Sequence, residues 1–447
     1  MYLADRRTTT GTAGRNPAPG RRAAVPATVF ALGTVSLVTD VSSEMVSAVL
    51  PLYLVAGLGL SPLGFGLLDG LYNGVSALVR LVGGRLADRR DGGHKTVAVL
   101  GYGLSALCKP LLLAVHGVPL IGAVLAADRA GKGLRTAPRD AMISLACEPA
   151  DRARAFGVHR AMDTAGALLG PLLAFLVLRT AAEGYDAVFT VSGCVAALGV
   201  LVLWLFVPAR PSDPARLSDP AHPGRPTSPG NHASLSGPAL PLRPTARTPL
   251  RDLLRRPKVR RLTACAVLLG LTTVSDSFLY LTLQRRLAVT EAWFPLLPLG
   301  TATAFLLLAV PLGAVADRFG RRRLFLCGHL ALLGAYGLLL APLGSSPAPA
   351  VAVLALHGTF YAATDGVLAA ATADAVPPEI RGSGLAVVQT GQAAARFVCS
   401  IAFGAAWTAW GDRTALGAAA TGLLVSAAAS AVLLRPSPTD DPPEPAR

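Results

Sequence analysis

Charge is what this chain of 447 residues has least of: Asp, Glu, Lys and Arg together make up 15% of it, against about 25% in soluble domains. Hydrophobic residues reach 52% and mean hydropathy is +0.51, which excludes an ordinary soluble fold and indicates a polytopic membrane protein. Aromatics are also few, at 6%, leaving little material for an aromatic cage around an organic cation. The six cysteines (Cys108, Cys147, Cys194, Cys265, Cys327 and Cys399) lie in or beside apolar stretches. They lack the short paired spacings of a zinc site or a disulfide framework, and read as buried, reduced thiols. No His-Glu-x-x-His or Gly-x-Ser-x-Gly occurs, so hydrolase chemistry has no support and neither a metal nor a cofactor is expected. The net charge of +15 would suit nucleic acid, but no domain-sized soluble segment carries a basic patch interleaved with aromatics, so no nucleic-acid partner is expected.

What is present is a series of long apolar runs. Hydropathy predicts twelve spans at 27–56, 63–86, 96–116, 119–146, 157–178, 187–207, 262–285, 292–315, 324–343, 349–375, 383–408 and 414–434. The expected fold class is an all-α polytopic membrane protein with twelve transmembrane helices in two six-helix pseudo-repeats. Residues 1–26 read as a disordered cytoplasmic tail, 27–207 as an N-terminal six-helix bundle and 208–261 as a Pro-, Ser- and Arg-rich cytoplasmic linker. A C-terminal six-helix bundle over 262–435 and a second tail at 436–447 complete the expected organisation. The first apolar run is long enough to span, so no cleavable signal is expected. With both termini inside, about 29 of the 41 Lys and Arg residues fall in cytoplasmic segments and about four outside, the asymmetry that sets orientation. The richness in Ala, Gly, Pro and Arg fits a high-GC bacterial genome, and hence a bacterial plasma membrane.

The fourth span contains Asp128-Arg-Ala-Gly-Lys-Gly-Leu-Arg-Thr-Ala-Pro-Arg-Asp140. Charges near a bilayer centre cost about 2.5–3.5 kcal/mol each on insertion scales, so they persist only against a wet cavity or opposite charges on neighbouring helices. At helical spacing Asp128, Lys132, Arg135 and Arg139 form one stripe, and Arg129, Gly133, Thr136 and Asp140 the next. Lys132, Arg135 and Arg139 could attract an anionic substrate. Alternatively Glu44, Asp69 and Asp128 neutralise them and leave a polar, uncharged pocket. Across all spans the bases Arg80, Lys109, Arg129, Lys132, Arg135, Arg139, Arg160 and Arg396 nearly balance the acids Asp40, Glu44, Asp69, Asp128, Asp140, Asp163, Asp276, Asp365 and Asp374, as structural pairing would require. Asp276 and Asp365 lie near mid-span without an evident local base, which makes them the leading proton-coupling candidates, followed by Asp40 and Glu44.

The two halves echo each other with a period near 229 residues. Gly84-Arg-Leu-Ala-Asp88-Arg89 after the second span matches Gly313-Ala-Val-Ala-Asp317-Arg318 after the eighth, and Asp40 of the first span corresponds to Asp276 of the seventh. Parallel repeats of this kind describe a secondary transporter. At these residues the chain resembles the major facilitator superfamily, and in particular a bacterial branch of it. The signature loop Gly-x-x-x-Asp-(Arg/Lys)-x-Gly-(Arg/Lys)-(Arg/Lys) is complete in Gly313, Asp317, Arg318, Gly320, Arg321 and Arg322. The first copy departs from it after Asp88-Arg89. The resemblance implies a gating role for both copies, in which carboxylate and Arg clamp neighbouring helix ends in one state. Arg129 and Gly133 match the superfamily's Arg-x-x-x-Gly helix, whose later Gly is here Ala137. Gly157, Gly166, Gly170 and Pro171 resemble its antiporter motif, with Ala174-Phe175 in place of the terminal Gly-Gly; close helix packing explains the same residues. With spans one, four, seven and ten lining the cavity, as the resemblance implies, Asp40, Glu44, Arg129, Lys132, Arg135, Arg139, Asp276 and Asp365 surround it.

Two nucleotide-like strings are decoys. Gly101-Tyr-Gly-Leu-Ser-Ala106 sits inside a span with no βαβ context, and Gly131-Lys132 lacks the first Gly and the Ser/Thr of a phosphate loop. The expected function is therefore non-enzymatic: alternating-access transport of a small molecule by a monomer in the lipid bilayer, driven by a proton gradient. Export by antiport is the leading mode, and proton-coupled uptake of an organic anion or metal chelate the alternative. A sensor would need a folded output domain, and a channel would not need two gated halves.

Overall fold

The computed structural model describes residues 25–88, 93–115, 117–148, 151–181, 184–208, 250–342, 346–377 and 380–435. Among them the chain is helical, with no strand. The N-terminal half is built from α1 (Ala27–Leu52, prolonged by a π turn over Tyr53–Gly57), α2 (Pro62–Asp88), α3 (Gly93–Ala114), α4 (Val118–Leu145), α5 (Arg152–Thr180) and α6 (Gly184–Phe206). In the C-terminal half α7 (Leu250–Arg255) leads into α8 (Pro257–Gly270) and α9 (Asp276–Leu287). There follow α10 (Leu296–Phe319), α11 (Arg321–Leu340), α12 (Ala348–Thr364), α13 (Val367–Asp374) and α14 (Arg381–Leu433). Proline in the first turn opens α2, α4, α8 and α12, where its missing N–H has no intrahelical partner to lose.

These elements supply the twelve expected crossings, with three departures from simple rods. The 53 residues of α14 form two spans, bent at Gly411, whose φ of 83° is open to glycine. The seventh crossing, expected as one helix, is broken between α8 and α9. Neither part, at 14 and 12 residues, reaches the roughly 20 needed to span alone. The intervening Thr272-Thr273-Val274-Ser275 run is β-branched or hydroxylic, types that lose rotamer freedom or compete for backbone bonds in a helix. The tenth crossing is likewise broken, at Asp365-Gly366, where Gly366 has φ 80°. Among the described residues eight helical segments are individually long and apolar enough to cross a bilayer, and charge-bearing α4 is not among them. Helix also begins earlier than expected: α7 and the start of α8 occupy 250–261, inside the stretch read as linker. Residues 1–24, 209–249 and 436–447, and with them most of the N-terminal tail and all of the C-terminal one, lie outside the described residues, as does Arg89.

Within the N-terminal half α1 packs on α5 and α6, and α4 on α2 and α3. In the other half α12 packs on α10 and α11, and α14 on α8 and α11. The halves meet chiefly along a seam between α2 and α14. Their contacts cluster at the face remote from the termini. There Phe65 packs edge-on to Phe278, Phe175 against Trp293, and the Tyr185 hydroxyl donates to Glu291 at 2.9 Å. Towards the face that carries the termini, polar cavities separate the halves.

All six cysteines are free. Cys108, Cys147, Cys265 and Cys399 are buried as expected, but Cys194 and Cys327 are exposed on α6 and α11. Lipid is as apolar as a protein core, so a thiol needs no protein cover there.

Candidate substrate cavity

The breaks in the seventh and tenth crossings lie where the halves part. Two adjoining cavities of about 410 and 420 Å³ share Asp69, Asn73, Ser275, Asp276 and Tyr361. The first extends along α14 past Gln389, Gln392 and Arg396. The second reaches into the N-terminal half to Glu44, Ser47, Tyr72 and Arg129, and is bounded on the other side by Pro298, Phe305 and Asp365. Irregular backbone at membrane depth is tolerated where it lines a water-filled cavity, which is where both breaks fall.

Asp276 occupies the first turn of α9 and is 41% exposed to the cavity. The Tyr361 hydroxyl donates to its two carboxylate oxygens at 2.7 and 2.8 Å, and His357 Nε2 stands 3.2 Å from Oδ1. The other ring nitrogen, Nδ1, is 3.4 Å from Thr301 Oγ1, so the imidazole is tethered on both sides. This corrects the expectation that Asp276 has no local base. His357 and Tyr361 are one helical turn apart on α12 and reach across to it. His357 was missed because a lone His in an apolar helix does not stand out when only ionised side chains are counted. Asp365, by contrast, is exposed at the second break.

The basic stripe of α4 is paired, residue by residue. Lys132 Nζ is 3.2 Å from Glu44, and Arg135 is 3.0 Å from Asp40, both acids on α1. Arg139 reaches Asp140 at 3.0 Å and Asp163 of α5 at 3.5 Å, while Lys109 of α3 binds Asp128 at 2.7 Å. Arg129 lies over the Tyr72 ring at 3.4 Å and donates to Ser47 at 3.1 Å. Of the expected cavity residues, Glu44, Arg129, Asp276 and Asp365 line the cavities; Asp40, Lys132, Arg135 and Arg139 are not among the lining residues of either. The antiporter-like glycines explain how α1 supplies these acids. A Cβ at Gly166 would lie 2.5 Å from the Leu37 carbonyl oxygen, and one at Gly170 2.7 Å from the Cβ of Glu44. Only bare backbone lets α5 press α1 this closely. Pro171 lines the cavity, and Gly157 has open space around it.

In the second signature loop, Gly320 (φ 94°) ends α10 and starts α11. Arg321 pairs with Asp374 at the end of α13 at 2.5 Å, and Arg322 donates to the Ala431 carbonyl near the end of α14. Arg318 lies over its neighbour Phe319. Gly313 and Asp317 sit in the last turns of α10, and Gly84 and Asp88 in those of α2.

Two bundles that meet at one face, enclosing a polar cavity flanked by broken helices, have the architecture of a secondary transporter. The chain belongs to the Major Facilitator Superfamily, whose family model matches residues 32–307 and 277–447. It is a membrane transporter that works by alternating access. The uncharacterized MFS-type transporter MJ1317 of Methanocaldococcus jannaschii is 27% identical over 371 residues, covering 81% of this chain and 84% of that protein. The uncharacterized protein Rv2265 of Mycobacterium tuberculosis is 35% identical over 182 residues, 40% of this chain and 43% of the relative. Among solved structures, the nucleoside transporter NupG superposes with a TM-score of 0.72 at 14% identity, covering 92% of this chain and 100% of that one. An inward-facing, unoccupied bacterial homolog of the human lysosomal transporter Spinster gives 0.70 at 16% identity, covering 92% and 98%. At these identities the likeness is one of fold.

Proposed function

We propose that the protein exports a small polar organic molecule in exchange for protons, as a monomer with both termini on the cytoplasmic side of a bacterial plasma membrane. Asp276 carries this reading. It is a carboxylate open to the cavity, placed on a broken helix between the halves and held by Tyr361 and His357. Its hydrogen-bond donors fix its position while leaving it accessible both to a proton and to a substrate. With the basic stripe of α4 occupied by acids of α1 and α5, and Glu44 thereby held by Lys132, the cavity walls present Asp69, Asp276 and Asp365 against Arg129 and Arg396. That balance favours a substrate with a basic or hydrogen-bond-donating nitrogen over a simple anion. Excess Lys and Arg at the terminal face support the orientation, which makes the described conformation inward-facing. Arg321 and Arg322, tying α11 to the ends of α13 and α14, support a gating role for the second signature loop.

One observation favours uptake of an organic anion or metal chelate instead: among the described residues the Nε atoms of Arg129 and Arg396, one from each half, are buried without a hydrogen-bond partner, Asp128 standing 3.9 Å from the first. A single assay separates the two readings. Inside-out vesicles acidified by respiration and loaded with a pH-quenched acridine dye receive a panel of small amines, zwitterions and carboxylates. Antiport discharges the proton gradient on addition of a transported amine or zwitterion, and Asp276→Asn abolishes the response. Failure of every amine and zwitterion to discharge the gradient, or acidification by carboxylates alone, overturns the export reading; discharge that persists in Asp276→Asn removes Asp276 from it.

A further inference from the structure

Asp69 is the buried acid that the pairing pattern leaves out. It lies in α2, seven residues beyond Pro62, and is 6% exposed. Among the described residues the other intramembrane acids of the N-terminal half each have a cation: Arg135 for Asp40, Lys132 for Glu44, Lys109 for Asp128 and Arg139 for both Asp140 and Asp163. Asp69 forms no salt bridge among those residues. Ser400 Oγ of α14 donates to its Oδ2 at 2.8 Å, across the seam, and Asn73 Nδ2 is 3.4 Å from Oδ1. The hydroxyls of Ser275 and Ser277 also face it. These donors are all neutral. The charged and titratable groups around it are Glu44 from α1, Tyr72 from α2 itself, Arg129 from α4, Asp276 and Tyr280 from α9, Tyr361 and Asp365 at the end of α12, and Arg396 and Cys399 from α14. Of these, Asp276, of like sign, lines both cavities together with Asp69.

We propose that Asp69 is a proton-binding site whose neutralisation permits the α2–α14 seam to close. An ionised carboxylate without a cation is strongly disfavoured in a low-dielectric seam, and a like charge nearby adds to the penalty. When the halves separate at the remote face, water reaches the carboxylate and the penalty disappears. Closure and proton uptake are therefore linked, since a ligand that binds one state better shifts the equilibrium towards it. Asp69 lines both cavities as well as the seam, so a proton acquired while the remote face is open is delivered to the cavity once that face is shut. The inference rests on the proton-coupled reading of the same cavity and adds a second proton site to Asp276, one that governs conformation.

The test is a distance measurement that needs no substrate. Spin labels are placed at Leu67→Cys and Trp410→Cys, exposed positions on α2 and α14, after replacement of the six native cysteines. Pulsed electron resonance on the full chain in nanodiscs then reports the seam from pH 5 to pH 9. The expected result is a short distance at pH 5, with a longer one growing as the pH rises, and a short distance at every pH in Asp69→Asn. Ser400→Ala keeps the carboxylate but removes its cross-seam donor, so opening should begin about one pH unit lower. A seam that ignores pH in the labelled parent, or an Asp69→Asn protein that still opens with pH, overturns the proposal. Asp276→Asn separates the two readings: loss of vesicle proton exchange with seam titration intact supports both, and retained exchange with seam titration intact removes only the role given to Asp276.

Discussion

The closed remote face depends on backbone meeting backbone, and adding a single methyl group should open it. A Cβ at Gly66 would stand 2.5 Å from the Ser400 carbonyl oxygen, and one at Gly404 would press on the Pro62 carbonyl. Both obstacles are main chain and cannot rotate away, so α2 and α14 would have to part by roughly 1 Å to restore ordinary contact. Overpacking of this kind costs about 1–3 kcal/mol. It falls on the closed state alone, because the open state separates the two helices. At about 1.4 kcal/mol per factor of ten, Gly66→Ala should shift the closed-to-open ratio about 5- to 150-fold towards open. The assay is reaction of Asn73→Cys, which lines both cavities, with a membrane-impermeant maleimide applied from the remote face in a cysteine-replaced background. Labelling should accelerate by that factor in either glycine variant. The double variant should fall short of the product of the two, since separating the helices once relieves both clashes. Unchanged labelling in a variant that melts at the parent temperature would refute the argument.

Two further predictions concern ion pairs of opposite burial. Lys109 and Asp128 have side chains only 2% and 6% exposed, so Lys109→Ala should destabilise the protein by about 3–5 kcal/mol, while Lys109→Met with Asp128→Leu should recover most of that in detergent melting curves. Arg321 and Asp374 are 36% and 68% exposed, so Arg321→Ala should cost at most about 1 kcal/mol in the same assay; a loss of vesicle transport with melting unchanged would then report on gating.

The membrane class, the twelve crossings and the two-half plan were legible because each depends on averages over about twenty residues. The same averaging concealed the breaks at Thr272–Ser275 and at Asp365-Gly366, which occupy only a few residues within otherwise apolar runs. Spacing placed Lys132, Arg135 and Arg139 on one face of α4 but could not say what that face meets. The answer depends on Gly166 and Gly170 drawing α1 and α5 together, a contact between segments more than a hundred residues apart in the chain. Asp69 shows the same limit from the opposite side. Its position within a span was evident, but that its neighbours at that depth would be hydroxyls and not a lysine or arginine is a fact of packing.

The placement of charge bears on how the halves move. The ion pairs Lys109–Asp128, Lys132–Glu44, Arg135–Asp40 and Arg139–Asp163 lie wholly within the N-terminal half, and Arg286–Asp412 and Arg321–Asp374 within the C-terminal half. Among the described residues no salt bridge crosses the seam. What crosses between the halves are aromatic contacts, such as Phe65 with Phe278, the Arg179 guanidinium over the Trp293 ring, and hydrogen bonds from Ser400 to Asp69, from Tyr185 to Glu291 and from the Leu63 backbone N–H to Thr408 Oγ1. Contacts of these classes contribute about 0.5–1.5 kcal/mol each, somewhat more where a carboxylate accepts, whereas breaking a buried ion pair costs about 3–5 kcal/mol. Rocking one half against the other therefore need not break the salt bridges named above, and the contacts named across the seam are of the weaker classes. In the proposed cycle the carboxylates that change environment are those at the junction itself, Asp69 at the seam and Asp276 at the broken helix; both accept from hydroxyl groups, and Asp276 has His357 beside it as well.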